Sequence, residues 1–251
     1  MRLYRVRNAD GAAWAREDGE GLRLLEGDPY SGTTDGPRTL AFTEAELLAP
    51  ATPSKIVAIG LNYRDHAAER NKPLPKEPLI FLKPPSAIVG PGEAIRRPPG
   101  AGRIDHEAEM GIVIGSTARR LPSPEAARAH VLGAVCLNDV TAREIQDRDV
   151  QFTRAKGFDT FCPIGPCLAT GLDLSRLRVE GRVNGEVRQK SSTEQLIFSP
   201  EYLVWFVSGV MTLLPGDIIS TGTPSGIGPL AAGDVVEVEV EGVGTLRNPV
   251  A

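Results

Sequence analysis

Cysteine is scarce. Cys136, Cys162 and Cys167 are odd in number and contain no CxxC pair, so neither a disulfide framework nor a zinc knuckle is indicated, and they read as thiols in a reducing compartment. A basic surplus is also missing: 28 Lys and Arg stand against 32 Asp and Glu, a formal charge of −4. No run of Lys or Arg builds the positive stripe that a phosphate backbone needs, so nucleic acid is not an expected partner. Long apolar runs are absent too. The N-terminal MRLYRVRNADGAAWARED has no continuous apolar stretch of the secretory kind. The longest apolar segment, Tyr202 to Leu214, falls short of the roughly 20 residues that span a bilayer and is expected to be a buried helix. A cytoplasmic protein without a membrane anchor is the expectation.

Glycine and proline are plentiful. With 27 Gly and 21 Pro, the chain should contain many turns and short elements, and 251 residues can form one large domain or a large domain with an appendage. The expected class is α+β and rich in β-structure. Residues 1 to about 45 hold short β-like runs (LYRV, AAWARE, GLRLLEG) separated by Asp-Gly and Gly-rich turns, and LLAPATPS follows as a connector. A small N-terminal β domain over residues 1–50 and a second domain over 51–251 are expected.

Beyond the connector, KIVAIGLNY reads as a buried strand. RDHAAERNKPLPKEP then passes from a short polar helix into a Pro-rich loop, a candidate lid, before the strand LIFLKP. EAEMGIVIG and HVLGAVCLND read as strands, and Asn-Gly in RVNGEVRQ marks a tight hairpin. Ser199-Pro200-Glu201 starts the apolar helix and Pro215-Gly216 is expected to end it. DVVEVEVEGVGTL alternates as one final strand with its valines on one face.

Strand alternation in HEAEMGIVIG puts Glu107 and Glu109 on one face, with Ala108, Met110, Ile112 and Ile114 on the other. Asp139 closes the apolar run VLGAVCL, where a strand end can present it to a pocket. Three convergent carboxylates without a thiol partner would select a hard cation, Mg²⁺ or Mn²⁺. The competing reading is a solvated acidic face on an edge strand, with Asp139 starting a turn. His106 alternates away from the Glu107 face and His130 precedes a strand, so neither is counted as a ligand.

His66 and Glu69 are three apart in RDHAAE, so on a helix the carboxylate can orient the imidazole; the same spacing also suits an ordinary polar face. Lys156 lies in a segment too rich in Gly and Pro to be regular, and a lone loop lysine is usually solvated. GDIISTGTPSGIGP lacks the Gly-Lys-Ser/Thr ending of a nucleotide-phosphate loop, yet its backbone amides and Thr223 can hold a small carboxylate.

GLNYRDHAAE, EPLIFLKPPSAIVGPG, DHEAEMGIVIG, NDVTAREIQ, RAKGFDTFCPIGP, VNGEVRQ and GDIISTGTPSGIGP occur in this order. Together, over about residues 53 to 250, they resemble the fumarylacetoacetate hydrolase superfamily. The similarity is greatest to short acylpyruvate hydrolases, oxaloacetate decarboxylases and the 2-hydroxyhepta-2,4-diene-1,7-dioate isomerase group. The resemblance implies a mixed β-roll domain beside a small N-terminal domain, a homodimer, and Mg²⁺ or Mn²⁺ held by Glu107, Glu109 and Asp139. It also implies a His66–Glu69 dyad on a mobile lid, Lys156 beside the metal, and a substrate pocket lined by Arg143, Gln146 and Thr223.

The activity it implies is chemistry on a small 2-oxo acid through a metal-stabilised enolate. Hydrolysis of a C–C bond in an acylpyruvate-like substrate is the first expectation. The isomerase reaction, decarboxylation of 5-oxopent-3-ene-1,2,5-tricarboxylate and oxaloacetate decarboxylation are alternatives. A catalytically silent small-acid-binding protein is the rival from another class.

Overall fold

One extended sheet organises the molecule. A computed structural model of the chain describes residues 1–8, 11–19 and 21–251. Across the sheet the strands run in the order Gly32–Ala41, Gly21–Asp28, Gly11–Asp18, Arg2–Asn8, Cys162–Ala169, Val131–Asn138, Ala108–Ile114, Ile218–Ser220, Ile56–Gly60 and Leu79–Lys83. Neighbours on this path are antiparallel except Ile218–Ser220 and Ile56–Gly60, which run parallel. The N-terminal strands form an antiparallel meander that joins the rest through the pairs Arg2↔Ala169 and Leu3↔Leu168. The Asp-Gly turn expected at residues 10–11 lies partly outside the described residues. The fold is the expected β-rich α+β type.

The central strand, Ala108–Ile114, is buried at every position, on both of its faces. Met110, Ile112 and Ile114 pack with Leu203, Val204 and Val207 of the helix Pro200–Val210 and with Val238 of a second sheet. Val113 faces the other way, against Ile164 and Ile218. Covering a central strand on both faces makes its few polar residues costly unless they are partnered.

The second sheet orders its strands Glu186–Ser192, Arg178–Val183, Val235–Val240 and Gly244–Pro249. Asn184 and Gly185 both take positive φ (53° and 79°), as the expected two-residue hairpin turn requires. Val236, Val238 and Val240 are buried as the alternation predicts. DVVEVEVEGVGTL is not one strand, however. The chain folds back between Val240 and Gly244, where Gly242 and Gly244 supply positive φ (78° and 123°).

The apolar helix needs a second correction. It ends at Val210, short of Pro215-Gly216, because the following residues extend to pair Leu213 with Ala118 and bury Leu213 completely. It is also only half-buried, with Val210 61% exposed. Ser199 caps it as expected, its hydroxyl accepting from the Tyr202 amide at 3.3 Å. Among the described residues, no helix is long and apolar enough to cross a membrane.

Candidate metal and acid-base site

The pairing Ala108↔Asn138 aligns the ends of two central strands, and the Asp139 amide donates to the Glu107 carbonyl at 2.9 Å. Glu107 and Asp139 are thereby fixed side by side; Glu107 immediately precedes the strand Ala108–Ile114, and Glu109 follows two residues on, within it. One carboxylate oxygen from each of the three lies within 4.8 Å of the others, and all three side chains are buried. This is an interior strand, so the solvated-edge reading of these acids does not hold.

Each carboxylate has a different environment. Glu107 Oε1 accepts from Arg143 Nη2 at 2.6 Å and from the Thr141 hydroxyl at 3.2 Å, while its Oε2 accepts from Lys156 Nζ at 2.8 Å. Asp139 Oδ1 accepts from Lys83 Nζ at 2.6 Å and Oδ2 from Lys156 Nζ at 2.5 Å. Glu109 has only neutral donors, the Ser220 hydroxyl at 2.5 Å and the Gly222 amide at 2.8 Å.

Their acidities diverge accordingly. Burial works against ionised Glu107, but Lys156 and Arg143 outweigh it and hold that carboxyl well below its ordinary range. Burial, together with the charges of Asp139 and Glu107, pushes Glu109 up to about 8. Burial works against the charged form of Lys156, but Asp139 and Glu107 outweigh it and raise the ammonium above its ordinary range.

His66 lies on the helix Arg64–Glu69, where the expected spacing brings its Nδ1 to 2.9 Å from Glu69 Oε2. Glu69 Oε1 accepts from the Gly226 amide at 3.0 Å, so the carboxylate is anchored on its far side by the Gly-rich loop. With Nδ1 engaged, Nε2 is the imidazole nitrogen free for proton transfer.

A cleft of about 340 Å³ is lined by His66, Glu107, Glu109, Asp139, Arg143, Gln146, Lys156 and Thr223. Eight of the nine residues singled out in the sequence thus share one cavity; Glu69 stands behind His66. The segment around Lys156, expected to be irregular, forms the short helix Thr153–Lys156, and the lysine at its end is buried against Glu107 and Asp139 rather than solvated. Arg143 and Gln146 sit one turn apart on the helix Arg143–Asp149, with Arg143 Nη1 donating to Gln146 Oε1 at 2.5 Å. Thr223 donates to the Ala108 carbonyl at 3.0 Å and accepts from Gln189 Nε2 at 2.7 Å.

Sequence reading missed Lys83, whose side chain is fully buried against Asp139. The available signal was a lysine ending an otherwise apolar strand, two residues from the cleft-lining Phe81 and therefore on the same face. Removing one partner of a buried ion pair costs ~3 kcal/mol or more. Lys83→Met should lose stability on that scale, with chemical denaturation as the measurement.

The donor set fits a hard divalent cation: three convergent buried carboxylates, with no thiol and no imidazole among them. A family model described as "Fumarylacetoacetate (FAA) hydrolase C-terminal" matches residues 55–251, and one described as "Rv2993c-like, N-terminal" matches residues 1–50. The crystal structure of 2-hydroxyhepta-2,4-diene-1,7-dioate isomerase from Mycobacterium marinum is similar at a TM-score of 0.93 and 42% identity, covering 100% of this chain and 98% of that one. That of 5-carboxymethyl-2-hydroxymuconate delta-isomerase from Mycobacterium smegmatis gives 0.92 and 44%, covering 100% and 99%. The mitochondrial oxaloacetate tautomerase FAHD2A of Bos taurus is 45% identical over 224 residues, 84% of this chain and 71% of that protein.

Proposed function

This chain belongs to the fumarylacetoacetate (FAA) hydrolase family, and from that premise we propose that it moves a proton at the carbon beside the keto group of a small 2-oxo diacid, with Mg²⁺ or Mn²⁺ as cofactor. The observation that supports the proposal is one cleft lined by the three buried carboxylates and by His66, with Glu69 bonded behind the imidazole. Glu107, Glu109 and Asp139 would hold the cation. Bound there, it would supply Lewis-acid stabilisation of the negative charge that develops on the keto oxygen as the proton leaves.

The chain's own groups account for the rest. His66 Nε2 takes the proton from carbon, and Glu69, hydrogen-bonded at Nδ1, orients the ring and stabilises the imidazolium that results. Returning the proton to another position gives the tautomer or double-bond isomer. Lys156 and Arg143 put two fixed positive charges beside the acids, where they favour an anionic substrate. The names borne by relatives at 42–45% identity, two isomerases and a tautomerase, favour this proton transfer. Hydrolysis of a C–C bond is the second reading, because the same dyad can take its proton from water.

Turnover assays with oxaloacetate, 2-hydroxy-dienedioates and acylpyruvates, each with and without Mg²⁺, test the proposal. Metal-dependent isomerisation or tautomerisation supports it. Cleavage of acylpyruvates alone would move the assignment to hydrolysis, and binding without turnover of any of the three would favour a silent acid-binding protein.

A pH dependence follows from Glu109. Its carboxyl in the folded chain is raised from an ordinary 4.5 to about 8, so its contribution to stability is complete below about 4.5 and is lost as pH rises towards 8. Chelator-treated protein should therefore melt at progressively lower temperature from pH 5 to pH 8. Added Mg²⁺ should reverse the trend, since the cation binds the ionised form and stabilises more as pH rises. Scanning calorimetry at several pH values, with EDTA and with Mg²⁺, measures both.

A further inference from the structure

We propose that Gln189 is a positioning residue that sets the His66–Glu69 dyad at its working distance from the acid cluster; this rests on the function proposed above. Gln189 lies on the hairpin strand Glu186–Ser192 and is buried while its neighbours Arg188 and Lys190 are exposed. A buried carboxamide on an otherwise solvated strand needs several partners to offset its desolvation. Gln189 has four. Its Oε1 accepts from the Ala108 amide at 2.8 Å, between the two glutamates, and lies 3.0 Å from His106 Nδ1. Its Nε2 donates to the Thr223 hydroxyl at 2.7 Å and to the Pro224 carbonyl at 2.8 Å.

The route to Ala108 is open because position 181, paired with Gln189 in the hairpin, is glycine: a Cβ there would stand 3.0 Å from Ala108 Cβ and 3.1 Å from Gln189 Oε1. At Gly226 (φ +94°) a side chain would collide with the Arg188 carbonyl, so the Gly-rich loop lies directly on this strand.

One chain of contacts leads from the acids to the base. Gln189 grips the acid strand at Ala108 and the loop at Thr223 and Pro224. Two residues on, the Gly226 amide donates to Glu69, which engages His66. Ser191, two residues along and on the same face, donates to Asp65 Oδ2 at 2.5 Å, while Asp65 Oδ1 accepts from the His66 amide at 2.6 Å. The hairpin strand thus holds the metal-side strand with one residue and the base-bearing helix with the next inward one. Second-layer contacts of this kind fix the geometry of the groups that react.

The test is a double-mutant cycle between Gln189→Glu and Glu69→Gln, using Mg²⁺ and oxaloacetate. Glutamate keeps both acceptor contacts of Gln189 and loses its donors to Thr223 and Pro224. We expect Gln189→Glu to lower kcat ~30-fold while Mg²⁺ affinity and KM each change less than ~threefold, and the effect on kcat to shrink below ~threefold in the Glu69→Gln background, as two members of one network require. A second readout needs no turnover: exchange of the Gly226 amide with deuterium should quicken at least ~tenfold in Gln189→Glu, because its acceptor Glu69 is no longer held in register.

Full additivity with Glu69→Gln, a parallel loss of Mg²⁺ affinity and kcat, or parental kcat with parental Gly226 exchange would each overturn the assignment. If the parental protein turns over no 2-oxo acid, the proposed function fails while Gly226 exchange still decides the role of Gln189.

Discussion

Glu109→Gln should abolish useful Mg²⁺ binding, weakening calorimetric affinity by at least ~100-fold and turnover with it, because ligand charge count sets the affinity of an oxygen site for a hard cation. The fold should survive. Glu109 is the one carboxylate of the three bonded only to neutral donors, and the glutamine Oε1 can accept from both the Ser220 hydroxyl and the Gly222 amide. Metal-free Glu109→Gln should also lose the decline in melting temperature between pH 5 and pH 8, since the group responsible no longer titrates. Glu107→Ala should abolish binding as well, but by a harsher route: it strips Arg143 and Lys156 of a shared buried partner, and stability falls along with affinity. Unchanged Mg²⁺ affinity in either variant would refute the ligand assignment.

His66→Ala should lower kcat by ~1,000-fold, within the range that loss of a general acid-base group produces, and leave Mg²⁺ affinity within ~twofold. The dissociation of the two readouts is the informative part. His66 bonds to Glu69 and to Asp65 but to none of the three acids, so its removal takes away the base and leaves the cation site intact. Its helix is a short surface turn with one buried residue, Ala67, and the cost in stability should be small. Glu69→Gln should fall between His66→Ala and the parental enzyme in kcat, because the imidazole stays but loses its anionic partner. A His66→Ala variant that keeps parental turnover would remove the dyad from the mechanism.

The legibility of this site in the sequence follows the range of its contacts. Glu107 and Glu109 could be read because a period of two is local, and the alternation with Ala108, Met110 and Ile112 is visible in a few letters. His66 and Glu69 could be read because helical spacing is local too. Lys83 and Gln189 were missed because their partners are distant in the chain: Lys83 meets Asp139 across 56 positions, and Gln189 meets Ala108 across 81. No periodicity encodes such pairings.

The errors in the elements have the same origin. The helix ends at Val210 because Leu213 is drawn into a pairing with Ala118, and tertiary pairing overrode a run of helix-compatible residues. The final alternating segment became a hairpin because two glycines permitted a turn that alternation alone does not show. At the level of sequence, it is the ordered set of family motifs that links the Glu107–Glu109 pair, Asp139, the dyad and Lys156 into one site. No single motif does so.

Deuterium incorporation at C3 of oxaloacetate in D₂O, followed by proton NMR, tests the central claim most directly. The account predicts exchange above the uncatalysed rate when the parental protein and Mg²⁺ are both present, and a return to that rate with EDTA or with His66→Ala. Exchange that persists undiminished under either condition would contradict it.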